Sequence, residues 1–150
     1  MPKEIERKFL VAQNGWRKHA DRGRLIRQAY LAVTDELVLR VRTIGAATAF
    51  LTIKTAGSST TRSEFEYPIP PQHARSLMKL RTGRLIVKRR HLVKVGKTHF
   101  EIDVFARDHR GLVLAEVELP SRRAHFERPK WLGKEVTGKK RYYNEHLAGV

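Results

Sequence analysis

The sequence predicts a mainly β (α+β) fold of eight antiparallel strands with a few covering helices. Three observations predict it. Hydrophobicity alternates with period two along eight segments, the mark of strands with two unlike faces. Turn chemistry separates several of them, at Gly45, residues 56–61, Gly96-Lys97 and Asp108-His109-Arg110-Gly111. Helical spacing is confined to short stretches. The 150 residues suit one domain over 1–150, long enough to bury a core.

In chain order, residues 3–11 set Glu4, Glu6 and Lys8 against Ile5, Phe9 and Val11. Residues 25–33 are mostly apolar but contain Gln28 and Tyr30. Residues 36–43 put Arg40 and Arg42 opposite Leu39 and Val41, and residues 48–55 put Lys54 opposite Leu51 and Ile53. Residues 62–68 set Arg62, Glu64 and Glu66 against Phe65 and Tyr67. Residues 84–91 set Lys88 and Arg90 against Leu85 and Val87. Residues 98–105 set Glu101 and Asp103 against Phe100, Ile102 and Val104, and residues 112–119 set Glu116 and Glu118 against Val113, Val117 and Leu119. Pro70-Pro71 opens a helix to about Leu80, with Ala74, Leu77 and Met78 at helical spacing. Ser121 is expected to cap a short helix before Pro129, and another is expected near Tyr143–Ala148.

Lys and Arg total 31 against 15 Asp and Glu, so the formal charge is +16 and polyanions should be attracted. From Tyr67 to Phe100 there is no acid against nine bases. Zero cysteine excludes a disulfide scaffold and thiolate metal sites. No apolar run reaches the ~20 residues of a membrane helix, and the charged N-terminal residues do not read as a secretory leader, so a cytoplasmic address is expected. Without such a leader or aromatic girdles, an outer-membrane barrel is not expected. Val95-Gly96-Lys97-Thr98 mimics a phosphate loop, but His91 stands where its first glycine belongs, so a hairpin turn is expected. The seven histidines show no metal-ligand spacing, and Trp16 and Trp131 are expected in the core.

The i, i+2 charged pairs put several charges on one side of each strand. Two readings follow. The charged faces converge inside a closed barrel, or they form a solvent-facing side laced with cross-strand ion pairs. In the first case, clustered carboxylates call for a divalent cation and clustered Lys and Arg for a polyanion.

Glu4-Ile5-Glu6-Arg7-Lys8-Phe9-Leu10-Val11 resembles the E-x-E-x-K signature of the CYTH, or triphosphate tunnel metalloenzyme, superfamily. Gln28-Ala29-Tyr30-Leu31, Leu39-Arg40-Val41-Arg42, Thr52-Ile53-Lys54 and Arg62-Ser63-Glu64-Phe65-Glu66 resemble its next blocks. Val87-Lys88-Arg89-Arg90, residues 100–105, residues 114–119 and Trp131–Thr137 resemble the later ones in order.

That resemblance implies an eight-stranded antiparallel closed β-barrel tunnel acting on triphosphate-containing substrates with Mg²⁺ or Mn²⁺. Residue by residue, it implies Glu4, Glu6, Glu116 and Glu118 as metal ligands, and Lys8, Arg40, Arg42, Lys54, Lys88 and Arg90 as phosphate ligands. It implies catalytic roles for Lys8, Tyr30 and Glu66, Tyr30 beside Lys8, with Glu64, Asp103 and Arg62 in support. Lys139 departs from the family pattern, where an acid is common.

The compact chain favours inorganic triphosphate, cleaved to pyrophosphate and phosphate. Nucleoside or thiamine triphosphatase, class IV-type adenylate cyclase and a non-catalytic polyphosphate or nucleic-acid binder are the alternatives. No membrane partner is expected, and a homodimer is left open. The expected tunnel set of six bases (Lys8, Arg40, Arg42, Lys54, Lys88, Arg90) and eight acids (Glu4, Glu6, Glu64, Glu66, Glu101, Asp103, Glu116, Glu118) leaves 25 bases and 7 acids elsewhere, a surplus of +18.

Overall fold

The computed structural model describes residues 5–55 and 63–150. Glu4 and Arg62 lie outside them. The strands are β1 (Ile5–Val11), β2 (Arg24–Val33), β3 (Leu37–Ile44), β4 (Thr48–Thr55), β5 (Glu64–Pro68), β6 (Thr82–Val95), β7 (Thr98–Phe105), β8 (Val113–Leu119) and β9 (Leu132–Glu135). The helices are α1 (Pro71–Met78) and α2 (Asn144–Leu147), with 3₁₀ turns at Gly15–His19, Arg107–His109 and Lys140–Tyr142.

The strands follow the hydrogen-bonded order β5-β4-β3-β2-β6-β7-β8-β1-β9. The fold is thus mainly antiparallel β, as expected. Among the described residues the order ends at β5 and β9, so hydrogen bonds do not make the expected barrel closure. All eight expected strands are present. A ninth, β9, pairs with β1 through Phe9↔Glu135 and Val11↔Leu132. Residues 121–124 form a turn, with Ala124 N–H donating to Ser121 O at 3.2 Å, in place of the expected helix. A segment bounded by Pro120 and Pro129 is too short to repay helix nucleation without an apolar face to bury.

Contacts gather the chain into two compact units, residues 5–24 with 88–140, and residues 25–87 with 141–150. In unit 1, alternation buries Phe9, Phe100, Ile102, Ala115 and Val117 on one face of β1, β7 and β8, against Trp16 and Trp131. Phe100 meets Trp131 edge-on at 5.1 Å. Each large side chain buried this way contributes about 1.5–3 kcal/mol. Both tryptophans are core residues, as expected.

In unit 2, Ala29, Val41 and Ala49 form the apolar face, which α1 covers with Ala74 and Met78, one helical turn apart. Pro71 starts that helix where a missing N–H has no consequence. Gly83 joins β6 to the end of the same unit. It has φ +72°, and a Cβ there would collide with the backbone carbonyl of Ala148, which accepts from Arg84 N–H at 2.7 Å. Gly83→Ala should therefore lower stability by at least ~1–2 kcal/mol, the cost of a left-handed backbone for an L side chain. Urea denaturation measures it, and an unchanged midpoint would contradict this contact.

Candidate functional site

The second face of each unit carries the charge. In unit 2 the register stacks polar residues across four strands. Gln28 lies opposite Arg42 and Tyr30 opposite Arg40 between β2 and β3. Arg40 lies opposite Thr52 between β3 and β4. Thr52 then faces Glu66, and Lys54 faces Glu64, on β5. On β2, β3 and β4 this side is shielded from solvent, because Gln28, Tyr30 and Thr52 are at most 1% exposed and Arg40 is 7% exposed, whereas Glu64 and Glu66 on β5 are exposed.

The side chains form one network. Gln28 Nε2 donates to the Tyr30 hydroxyl at 3.1 Å, and its Oε1 accepts from Arg42 Nε at 3.0 Å. Arg40 Nη2 reaches Thr52 Oγ1 at 3.4 Å, and that hydroxyl reaches Glu66 Oε2 at 3.3 Å. Arg40 Nε is buried and, among the described residues, has no hydrogen-bond partner. A buried donor left unmet costs about 1–3 kcal/mol, more when charged. Burial, then the charge of nearby Arg40, lowers the Lys54 pKa, against the opposing pull of Glu64 and Glu145. Burial raises the Tyr30 pKa well above that of an ordinary phenol, so Tyr30 is a neutral hydroxyl at physiological pH. Unit 2 therefore gathers three cations on one face, with one buried Arg40 donor unmet among the described residues.

Unit 1 mixes the signs. Lys88, fully buried, binds Asp103 Oδ2 through Nζ at 2.9 Å. Arg90 forks onto the same carboxylate at 2.8 and 2.9 Å and reaches Glu101 at 3.2 Å. Burial alone would raise the Asp103 pKa, but the charges and hydrogen bonds of Lys88 and Arg90 outweigh it and hold the carboxyl well below the usual range. Lys8 Nζ lies 3.3 Å from Glu116. Burial likewise opposes ionisation of Glu116, yet the Lys8 charge and a hydrogen bond with Glu6 leave its pKa lowered.

Glu6 stands directly opposite Glu118 between β1 and β8, and Glu101 opposite Glu116 between β7 and β8. Like charges in such positions are destabilising unless a cation or proton offsets them. Beside them lies a cavity of about 480 Å³ lined by Glu101, Glu116, Glu118, Lys97, His99 and His125. Among the described residues no group of three His, Asp or Glu is gathered tightly enough to hold a metal ion. The oxygen-only donors Glu6, Glu116 and Glu118 nevertheless fit a hard divalent cation in kind, and Glu4, two residues from Glu6, lies outside the described residues.

The candidates thus divide between the units. Glu6, Lys8, Lys88, Arg90, Asp103, Glu116 and Glu118 belong to the first, and Tyr30, Arg40, Arg42, Lys54, Glu64 and Glu66 to the second. Lys88 and Arg90 are gathered on Asp103. Three participants were not anticipated as site residues. Gln28 and Thr52 are buried linkers, and Glu145 on α2 acts electrostatically on Tyr30 and Lys54. A glutamine two residues from Tyr30 in a mostly apolar strand was the available signal for the first. Glu145 lies more than a hundred residues from Tyr30 and had none.

A family profile described as the CYTH domain matches residues 2–147. The chain belongs to the CYTH domain family. Among its relatives, an inorganic triphosphatase of Nitrosomonas europaea is 41% identical over 150 residues, 97% of this chain and 96% of the relative. An inorganic triphosphatase of Acetivibrio thermocellus is 35% identical over 148 residues, 98% and 94% respectively. The crystal structure of an inorganic triphosphatase superposes with TM-score 0.76 at 38% identity, covering 99% of this chain and 95% of that one. A protein described as a putative adenylyl cyclase from Hippeastrum with a dominant triphosphatase activity shares the fold at TM-score 0.57 and 16% identity.

Proposed function

We propose that this CYTH chain is a divalent-metal-dependent phosphohydrolase that cleaves inorganic triphosphate to pyrophosphate and phosphate. The observation that carries the reading is the cation cluster of unit 2. Arg40 holds a buried donor with no partner among the described residues, and Lys54 is crowded by Arg40 and Arg42. A multiply charged anion satisfies both at once, and guanidinium forks match phosphate oxygens. The names of the two relatives, both inorganic triphosphatases over nearly the full chain, support the same substrate.

In this reading Arg40, Arg42 and Lys54 bind phosphate oxygens and stabilise charge on the leaving pyrophosphate. Tyr30, held neutral by burial, serves as a hydrogen-bond donor and not as a base. Glu66, exposed on β5 and tied to Thr52, orients the attacking water, with Glu64 beside Lys54. In unit 1, Asp103 sets the position of Arg90, and Lys88 adds positive charge beneath it. Lys8 approaches phosphate while engaging Glu116. Glu6, Glu116 and Glu118, with Glu4, would hold Mg²⁺ or Mn²⁺, which supplies Lewis-acid neutralisation of phosphate charge when bound. A chain without cysteine suits the cytoplasmic setting proposed for it, and no helix among the described residues is long and apolar enough to cross a membrane.

Phosphate release from inorganic triphosphate, ATP and thiamine triphosphate, each with Mg²⁺, Mn²⁺ or EDTA, tests the proposal. The expected result is kcat/KM for inorganic triphosphate at least tenfold above the others, with EDTA abolishing turnover. Absence of metal-dependent turnover of any triphosphate would refute an enzymatic role.

A further inference from the structure

We infer that Arg7 and residues 122–128 of unit 1 form an accessory anion site that takes a small phosphate-class anion such as pyrophosphate, apart from the candidate catalytic groups. A cavity of about 190 Å³ is lined there by Arg7, Arg122, Arg123, His125, Phe126 and Arg128. Among the described residues none of its lining side chains is acidic.

The positive charge is concentrated by the packing. The guanidinium carbons of Arg7 and Arg128 lie 5.3 and 5.1 Å from the centre of the Phe126 ring, and each lies 5.5 Å from that of Phe9. Two guanidiniums over the same two rings repel each other, and each ring supports them by its face. Glu135 takes two nitrogens of Arg7, at 2.8 and 2.6 Å, and so balances one positive charge. Arg122, Arg123 and Arg128 are exposed. The acid within the segment, Glu127, turns elsewhere: its Oε2 would lie 3.1 Å from a Cβ placed on Gly96, in the β6–β7 turn. With Glu135 as counter-charge to Arg7 and acting on Arg128 as well, the four arginines still leave the cavity a surplus of forked donors.

Size and shape narrow the ligand. The cavity is smaller than the ~300–1,000 Å³ typical of clefts for drug-sized ligands. Phe126 packs its ring edge-on against Phe9 and Phe100 at 5.9 and 6.1 Å, so its faces serve guanidiniums and not a stacked base. A small inorganic polyanion fits both facts. His125 also lines the larger cavity that contains Glu116 and Glu118, so the accessory anion lies next to the candidate carboxylate group. Pyrophosphate is the product of the proposed reaction, but the site itself rests on the geometry alone.

The test is an NMR titration of the ¹⁵N-labelled full chain with sodium pyrophosphate in EDTA, with sodium sulfate and sodium chloride at matched ionic strength. Wild type is compared with Arg123→Gln/Arg128→Gln, two exposed positions whose replacement spares the core. Saturable shifts are expected in the amides of residues 122–128 and in Arg7 Nε–H with pyrophosphate. Affinity read from those signals should fall tenfold or more in the double variant, while its kcat/KM for triphosphate stays within twofold of wild type. Equal shifts with chloride would reduce the site to general screening and overturn the inference. So would an unchanged affinity in the double variant, or a large loss of kcat/KM, which would merge the site with the catalytic one. Because binding is read directly, failure of the triphosphatase proposal leaves this result interpretable.

Discussion

Replacing Glu6 with alanine should cut metal-dependent turnover of triphosphate about a thousandfold while leaving the fold intact. Glu6 is exposed, so little packing is lost. Its position is unusual for a surface acid, directly opposite Glu118 and hydrogen-bonded to Glu116. Removing it takes away one of two facing carboxylates but also its hydrogen bond to Glu116, so stability should change by no more than about 1 kcal/mol. Removing a ligand to a charge-neutralising cation costs several kcal/mol of transition-state stabilisation, and about 4 kcal/mol corresponds to three powers of ten. Two measurements check this: kcat with saturating Mg²⁺ or Mn²⁺, and the affinity for Mn²⁺ by calorimetry. A variant that keeps more than a tenth of wild-type turnover and unaltered Mn²⁺ affinity would remove Glu6 from the metal set.

Asp103→Ala should lower folding stability by about 3–5 kcal/mol, the range for stripping one partner from a buried ion pair. Lys88 is fully buried and Asp103 nearly so, and Arg90 forks onto the same carboxylate. The variant leaves two cations facing each other with no carboxylate between them. The double change Asp103→Leu/Lys88→Met removes both charges and should recover a large part of the loss, as seen when buried pairs become apolar. Urea unfolding of the three proteins gives the comparison. A loss below 1 kcal/mol in the single variant would contradict a stabilising role for the Asp103 carboxylate between Lys88 and Arg90.

The pH dependence follows from the same residue. The folded pKa of Asp103 is depressed below that of the unfolded chain. Its stabilising contribution is therefore complete above about pH 4, where the unfolded carboxyl is ionised, and is lost as pH falls below that. Wild type should lose stability more steeply with acidification in that range than the double variant.

The strands and their polar faces were legible because period two survives any change of packing: Glu6/Lys8, Arg40/Arg42 and Glu116/Glu118 each turn to one side regardless of partners. Phe9 and Phe100 were legible as core residues for the same reason. Partnership was not. That Lys88 is gathered with Arg90 on Asp103, while Arg40 keeps a donor unmet among the described residues, depends on which strand lies alongside at which offset. β9 escaped because four residues interrupted by Gly133 carry too little alternation to register. The helix expected after Ser121 failed because capping chemistry does not create an apolar stripe for the helix to bury.

The pairing of β1 with β8 has a kinetic consequence. Ile5 lies opposite Leu119, so that ladder joins residues 119 − 5 = 114 apart in the chain. Most of the cost of closing so large a loop falls before any contact in it is gained. During synthesis β1 must therefore wait for β8 to leave the ribosome, its apolar Phe9 face lacking its final cover until then. Refolding from denaturant should accordingly run on the millisecond-to-second scale of non-local β topologies and not at the speed of a helical bundle. High protein concentration during that interval favours aggregation over assembly of the first strand.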